Sequence, residues 1–367
     1  MSQALSIDSV LAYGDDAALP SGGGALHFLS VLVACATFPL IFMGGLVTSH
    51  QAGMSVPDWP NSYGYNMFLF PPRLWIGGIL YEHTHRLMAS VVGILAILLV
   101  VAAFLSKRAG RRERWLAIAV LGAVILQGVL GGLRVVLVKL DLAIVHACVA
   151  QAFFCLSAYM AVVTSRWWNQ PRWGSVAKAG RGVVALGAAA TIVVYLQLIV
   201  GATMRHFQAG LAIVDLPLAY GKWLPPLTQS RLDAVNWVRV RELNLDAVTM
   251  GQVWLNFGHR VGAVMVSVMI LALASLVVAR YRKQPGLVRP ALLLIVLLGT
   301  QITLGVLTVL WRKPADVASA HVAVGALVLV TSFVLTVSAA RLNGPRAARA
   351  QFDPAPARRD SAMAVVA

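Results

Sequence analysis

Four histidines are the residues whose type and spacing point most directly to chemistry: His85, His146, His259 and His321. Imidazole is the commonest side-chain metal ligand. His85-Arg86 is matched by His259-Arg260, 174 residues later, and His146 by His321, 175 later. Two matched pairs imply two copies of one site. Two imidazoles on facing helices can take both axial positions of one haem iron, so the pairs predict two haem sites. Zinc fits less well, because it favours four close ligands in spacings such as HExxH, and none is present. A lone histidine of this kind would ordinarily be hydrogen-bonded at a membrane interface; the matched repetition is what favours a cofactor.

The segment Glu82-His83-Thr84-His85-Arg86 adds a carboxylate. Glu82 and His85 are i,i+3 and share a helix face. Beside an iron-bound substrate, Glu82 is the candidate acid or base; an interfacial carboxylate at a helix N-terminus is the alternative. The matching position, Asn256, cannot ionise. One half therefore reads as reacting and the other as carrying a resident haem. His83 points off the His85 face and reads as structural. Arg86 and Arg260 are weaker candidates, for haem propionates, with snorkelling to lipid headgroups as the alternative. His50 and His206, 156 apart, rank below the four as flanking groups. Gly44-Gly45 and Gly131-Gly132 permit close approach of a helix or of a porphyrin face, and helix packing is the commoner use. Cys35, Cys148 and Cys155 form no CxxC, which argues against a structural disulfide or a c-type haem.

These residues need helices in lipid to position them. Hydrophobic residues make up 59% of 367, and only 12% are charged. Eight runs are long and apolar enough to span a bilayer: Phe28–Thr48, Leu87–Leu105, Trp115–Leu133, Leu142–Thr164, Gly182–Met204, Val261–Ala279, Pro290–Trp311 and Val317–Ala340. The expected fold class is an all-α integral membrane protein. Net charge is +16, with 30 Lys and Arg against 14 Asp and Glu. A nucleic-acid partner is not expected, because that reading needs a basic surface on a soluble fold. Instead the cations sort by loop. Lys107, Arg108, Arg111, Arg112 and Arg114 follow the second span; Arg166, Arg172, Lys178 and Arg181 follow the fourth. Arg280, Arg282, Lys283 and Arg289 follow the sixth, and Arg341, Arg346, Arg349, Arg358 and Arg359 follow the eighth. Short basic loops lie on the cytoplasmic side, so both termini are expected there, the cations meeting membrane lipid. Met1–Ala25 lacks the basic and apolar regions of a signal peptide and carries Asp8, Asp15 and Asp16, against a mitochondrial presequence. A bacterial cytoplasmic membrane is the simplest home.

The repeat extends beyond the histidines. Gln127 and Gly131 match Gln301 and Gly305. Gln51-Ala52-Gly53 with Asp58 and Pro60 matches Gln208-Ala209-Gly210 with Asp215 and Pro217, at a shift of 157. The different shifts place 17 extra residues in the loop between spans five and six. Four spans per unit is even, so the halves have the same orientation: a parallel repeat of two four-helix bundles. The expected division is a cytoplasmic tail (1–27), a first bundle (28–164), a linker (165–181), a second bundle (182–340) and a disordered tail (341–367). All four histidines open even-numbered spans and so lie at one depth. That weighs against a di-haem electron carrier oxidising quinol, which would place haems at both faces. A parallel-repeat transporter would show polar groups near mid-membrane, and these spans are free of charge.

Together the eight spans, the duplication, Glu-x-x-His-Arg at Glu82–Arg86, His146, His259-Arg260 and His321 resemble the haem A synthase family. Gly44-Gly45-Leu46-Val47-Thr48 with Gly53-Met54-Ser55 and Trp59 looks like that family's first outer loop. The resemblance runs from about Phe28 to Ala340. It implies oxidation of the C8 methyl of haem O to a formyl group, in stages through a hydroxymethyl group, giving haem A for terminal oxidases. It implies His85 and His146 as ligands of the substrate haem, Glu82 as the essential carboxylate, and His259 and His321 as ligands of a resident haem b that passes electrons. A haem O synthase and cytochrome oxidase assembly factors are the implied partners. Many bacterial members carry a cysteine pair in the first outer loop; this chain has no cysteine between Gly45 and Tyr81.

Overall fold

The computed structural model describes residues 24–169 and 180–342. The expected tails and most of the linker lie outside them. Eight helices are long and apolar enough to cross a membrane: α1 (Ala25–Ser49), α2 (Gly77–Leu105), α3 (Arg111–Val136), α4 (Leu140–Thr164), α5 (Arg181–His206), α7 (Met250–Arg280), α8 (Pro285–Leu310) and α9 (Ala315–Arg341). A shorter helix, α6 (Gln229–Arg241), lies in the long connection before α7. The chain is an all-α, multi-pass membrane protein. In lipid a helix is the form that bonds every backbone group within its own segment.

The helices outrun the apolar stretches that announced them. The second run opens at Leu87, but α2 starts ten residues earlier, at Gly77. The sixth opens at Val261, but α7 starts at Met250, where Thr249 and Gln252 form a capping box. Polar residues ended the hydropathy signal without ending the helix, because the loops above bury and bond them. The four histidines therefore do not open their helices. His85 and His259 sit roughly 12 Å and 13 Å of helical rise inside, and His146 and His321 about 9 Å inside.

Helix packing falls into two rings of four. In the first, α1 and α3 each pack on α2 and α4; in the second, α5 and α8 each pack on α7 and α9. Across the middle, α9 packs on α1 and α4, and α4 on α5. Each ring has its own buried apolar cluster, around Leu99, Val120 and Met160 in one and Ile270, Leu294 and Leu335 in the other. Both clusters lie at the end away from the histidines. That closes one end of each ring with packed side chains, the interaction that holds helices together in lipid. Outward residues such as Leu98, Ile125, Val264 and Val296 are exposed, as a lipid-facing surface requires.

Two connections, residues 50–76 and 207–249, cover the histidine end and fold alike. Gln51 and Gln208 (φ 52° and 54°) and Tyr63 and Tyr220 (φ 51° and 56°) share the left-handed conformation, with Gly64 and Gly221 following them. Asp58 accepts from the Tyr63 and Gly64 amides at 2.7 and 2.8 Å; Asp215 accepts from those of Tyr220 and Gly221 at 2.8 Å each. Burial alone would raise the Asp58 carboxyl, but those amides and the Arg86 charge outweigh it and hold the group below its ordinary 3.8. Its contribution to loop order is full above that value and is lost as pH falls through the lowered one. The second connection carries the extra chain as α6, tied down by buried Arg239, which donates to the carbonyls of Leu211, Ala212 and Asp246.

Candidate functional site

In the second half, α7 and α9 bring His259 and His321 face to face, ring centroids 6.5 Å apart and planes at 68°. Metal–imidazole bonds run about 2 Å, so two rings this close could both reach one iron held between them. The spacing fits two ligands on one iron. Among the described residues no three His, Cys, Asp or Glu side chains converge, so the donor set suits axial ligation of a macrocycle better than a cage for a bare ion. Both rings are oriented by glutamine. Gln197 on α5 donates from Nε2 to the His259 carbonyl at 2.7 Å, and the same nitrogen lies 3.0 Å from His259 Nδ1. The Gln301 backbone carbonyl lies 3.1 Å from His321 Nδ1, and the Gln301 side-chain Nε2 lies 3.4 Å from His321 Nε2. Partners of this kind fix ring orientation and tautomer in metal sites.

The first half repeats the glutamine partner at one of its two histidines. With its Oε1 accepting from the Ala150 amide, Gln127 places Nε2 3.0 Å from His146 Nδ1. The position matching Gln197 is Leu40, so no side chain holds His85 Nδ1, and its nearest polar neighbour is the Leu40 backbone.

Each imidazole lies against a glycine. A Cβ added at Gly44, Gly131, Gly201 or Gly305 would stand 3.1, 3.2, 3.1 and 3.1 Å from Cε1 of His85, His146, His259 and His321 respectively. Of the four glycines expected to allow close approach, Gly44 and Gly131 do so toward the rings, while Gly132 does so toward Trp59. Gly45 differs: it packs on Ser319, across the two halves. Replacing Gly305 with Val should push His321 off its axial line and lower haem bound per protein by at least about tenfold, with membrane insertion unchanged. Reduced-minus-oxidised spectra of purified protein check this, and Gly305→Ala should fall between wild type and valine.

Glu82 is buried and fully engaged. Its Oε2 accepts from the Val56 amide at 2.9 Å, and its Oε1 from Arg86 Nη2 at 2.9 Å. His83 is fully buried, 3.2 Å from Ser62 Oγ, and packs against Phe70 and Trp75. Its partners are loop residues and differ from those of His85, and its Nε2 is buried without a hydrogen-bond partner. Asn256 makes a comparable tie in the second half, donating to the Ala209 and Gly210 carbonyls at 2.9 and 3.1 Å. His50 stacks on Tyr81 at 4.0 Å, and His206 Nδ1 lies 2.8 Å from the Ala202 carbonyl. Cys35, Cys148 and Cys155 are free thiols.

Arg86 and Arg260, read from sequence as propionate contacts, are given other partners. Arg86 donates to the carbonyls of Asp58, Asn61 and Val56 and to Glu82. Arg260 donates to the repeat-matched carbonyls of Asp215, Leu218 and Ile213. Four Nη hydrogens meet four acceptors at Arg86, so its fork is spent on folding the loop. The reason lies in the longer helices: both arginines stand beneath loop backbone, not at open interface. Sequence reading missed Gln197 and gave Gln127 and Gln301 no role. Their signal was the glycine each packs near, Gly262 for Gln197 and Gly325 for Gln301, which becomes meaningful only once the helices are juxtaposed.

An eight-span, all-α membrane protein with paired, glycine-cradled histidines is the class that this fold and site define. Residues 78–333 match the cytochrome oxidase assembly protein family model, and the chain belongs to that family. It is similar to proteins named heme A synthase. That of Shouchella clausii is 28% identical over 291 residues, 78% of this chain and 87% of that protein. That of Halalkalibacterium halodurans is 25% identical over 316 residues, 84% and 94% respectively. That of Shewanella oneidensis is 24% identical over 319 residues, 80% and 91%.

Proposed function

We propose that this chain is a haem A synthase, oxidising the C8 methyl of haem O to a formyl group. The observation that carries the reading is an asymmetry between two otherwise matched histidine pairs. The first has Glu82 and a His85 that no side chain holds; the second has Asn256 and a His259 held by the Gln197 side chain. The better-held pair suits a resident cofactor, and the less committed pair a substrate that must come and go.

In this reading His85 and His146 hold haem O by its iron, and the Gly44 and Gly131 faces let it approach their rings. Glu82 handles protons at the methyl-bearing edge, and the loop pinned by Arg86 keeps bulk water from that edge. His259 and His321 hold haem b, which supplies one-electron transfer when bound. The α1–α9 contact, with Ser49 and Ser319 hydroxyls 3.1 Å apart, fixes one half against the other. Haem O comes from a haem O synthase in the same membrane, haem A goes to oxidase assembly, and both termini face the cytoplasm.

Co-expression with a haem O synthase in a host that makes no haem A tests this. Acid-acetone extraction and mass analysis should yield haem A, haem O and haem B. Haem B with unchanged haem O would leave a di-haem electron carrier as the surviving interpretation.

A further inference from the structure

With Arg86 and Arg260 committed to loop carbonyls, other cations crowd the histidine end without an acid to answer them. Among the described residues the ion pairs are Arg86–Glu82 and Arg112–Glu113. Arg134, in the last turn of α3, lays its guanidinium on the first loop: a Cβ added at Gly53 would be 3.2 Å from Nη1 and 3.4 Å from Nη2. Its Nε is buried without a hydrogen-bond partner. Glu82 is the carboxylate whose charge reaches it, and both Glu82 oxygens are already bonded. Arg134 is also within electrostatic range of His85 and His146.

The second half reaches the same arrangement by another route. The residue matching Arg134 is Thr308, yet the matching glycine is covered too: a Cβ at Gly210 would lie 3.5 Å from Lys313 Cδ. Lys313 comes from the turn after α8 and donates to Gln208 Oε1 at 3.1 Å. Burial and the neighbouring Arg205 charge push its amine below the ordinary 10.5. Arg205 donates to the Gly45 carbonyl and the Ser49 hydroxyl, neither of them an anion. Two like charges packed together and half-buried are unfavourable unless an anion joins them.

We propose that Arg134 in the first half, and Lys313 with Arg205 in the second, receive the carboxylates of the tetrapyrrole held by the histidine pair of that half. This rests on the haem sites proposed above. A haem carries both propionates on one edge. With its iron between rings set roughly two turns inside the helices, that edge reaches the loops by pointing toward them, where these cations stand. Arg134 offers a planar fork that matches a carboxylate; Lys313 offers a compact charge. Gly53 lets the Arg134 guanidinium lie close to the loop backbone, while at Gly210 the Lys313 stem makes an ordinary van der Waals contact. Each half carries such a cation although the residues are not repeat-matched, which points to a demand of the ligand and not to a relic of duplication.

The test uses full-length protein from haem-limited cells, titrated with haem b or its dimethyl ester and followed by the Soret band. The ester keeps the iron and ring and lacks the carboxylates. Each site is read in a background with the other histidine pair replaced by alanine. Unsubstituted at its cations, each site should bind the diacid at least about tenfold more tightly than the ester. Arg134→Gln should erase that preference in the first site, Lys313→Gln should weaken it in the second, and Arg134→Lys should retain most of it. Lys313→Gln changes a half-exposed turn and Arg134→Lys keeps the charge, so the comparison survives if Arg205→Gln disturbs the contact between halves. A preference that persists in Arg134→Gln and Lys313→Gln, or is absent from the start, overturns the carboxylate assignment with the haem sites intact. Failure of both ligands to give a Soret shift removes the haem sites themselves.

Discussion

Replacing His259 or His321 with alanine should abolish binding of the haem b proposed for the second half while the eight helices still assemble. The helices should survive because the cluster around Ile270, Leu294 and Leu335 lies at the far end of the ring and involves neither ring nitrogen. The haem should not, because Gln197 and Gln301 can orient an imidazole but cannot replace it as a ligand. Loss of a partner that only orients a ligand commonly costs 10- to 100-fold in metal affinity, so loss of the ligand should cost more than about 100-fold. Purified His259→Ala and His321→Ala proteins should lack the low-spin b-type spectrum of the wild type. His85→Ala and His146→Ala should keep it and lose conversion of haem O. A His259→Ala protein with wild-type haem content would remove that pair as the resident site.

Eight spans were legible because a bilayer imposes one simple rule on long apolar runs, and the sequence obeys it eight times. The ends of those spans were not legible. Gly77–Arg86 reads as a polar stretch until its partners are known: Glu82 meets the Val56 amide, Arg86 meets three carbonyls, and His83 meets Ser62. Those bonds join positions more than 20 residues apart, beyond any local pattern. The four histidines stood out by duplication, and the structure brings His259 and His321 together and sets a glycine against each of the four rings. Duplication could also mislead. Arg86 and Arg260 match because they anchor matched loops, and matching carried no information about which charge meets a ligand. Arg134 and Lys313 went unnoticed because they do not match, although they cover matched glycines.

Glu82→Gln should keep the fold and the resident haem and lower formyl production by at least about 100-fold, the low end of what a positioned acid or base contributes. The geometry first suggests a humbler role, since both carboxylate oxygens bond to the loop. The second half weighs against that role as the whole account. Asn256 ties its loop with a neutral amide, and Arg260 binds the same three loop carbonyls as Arg86 with no acid among its bonded partners. A neutral side chain at this position thus holds a loop of the same shape through other backbone groups, and the arginine does not need a carboxylate to hold its carbonyls. The charge at position 82 is surplus to folding, which leaves it available for chemistry. Glutamine preserves an acceptor for the Val56 amide and the shape of the side chain, so the loop should stay closed, whereas Glu82→Ala would leave the amide and part of Arg86 unsatisfied. Haem O and haem A in extracts, measured beside protease sensitivity of residues 50–76, separate the two roles. A Glu82→Gln protein that makes haem A near the wild-type rate would reduce Glu82 to a loop anchor; one that loses haem A formation with its loop still protected assigns the proton-handling role to the carboxylate.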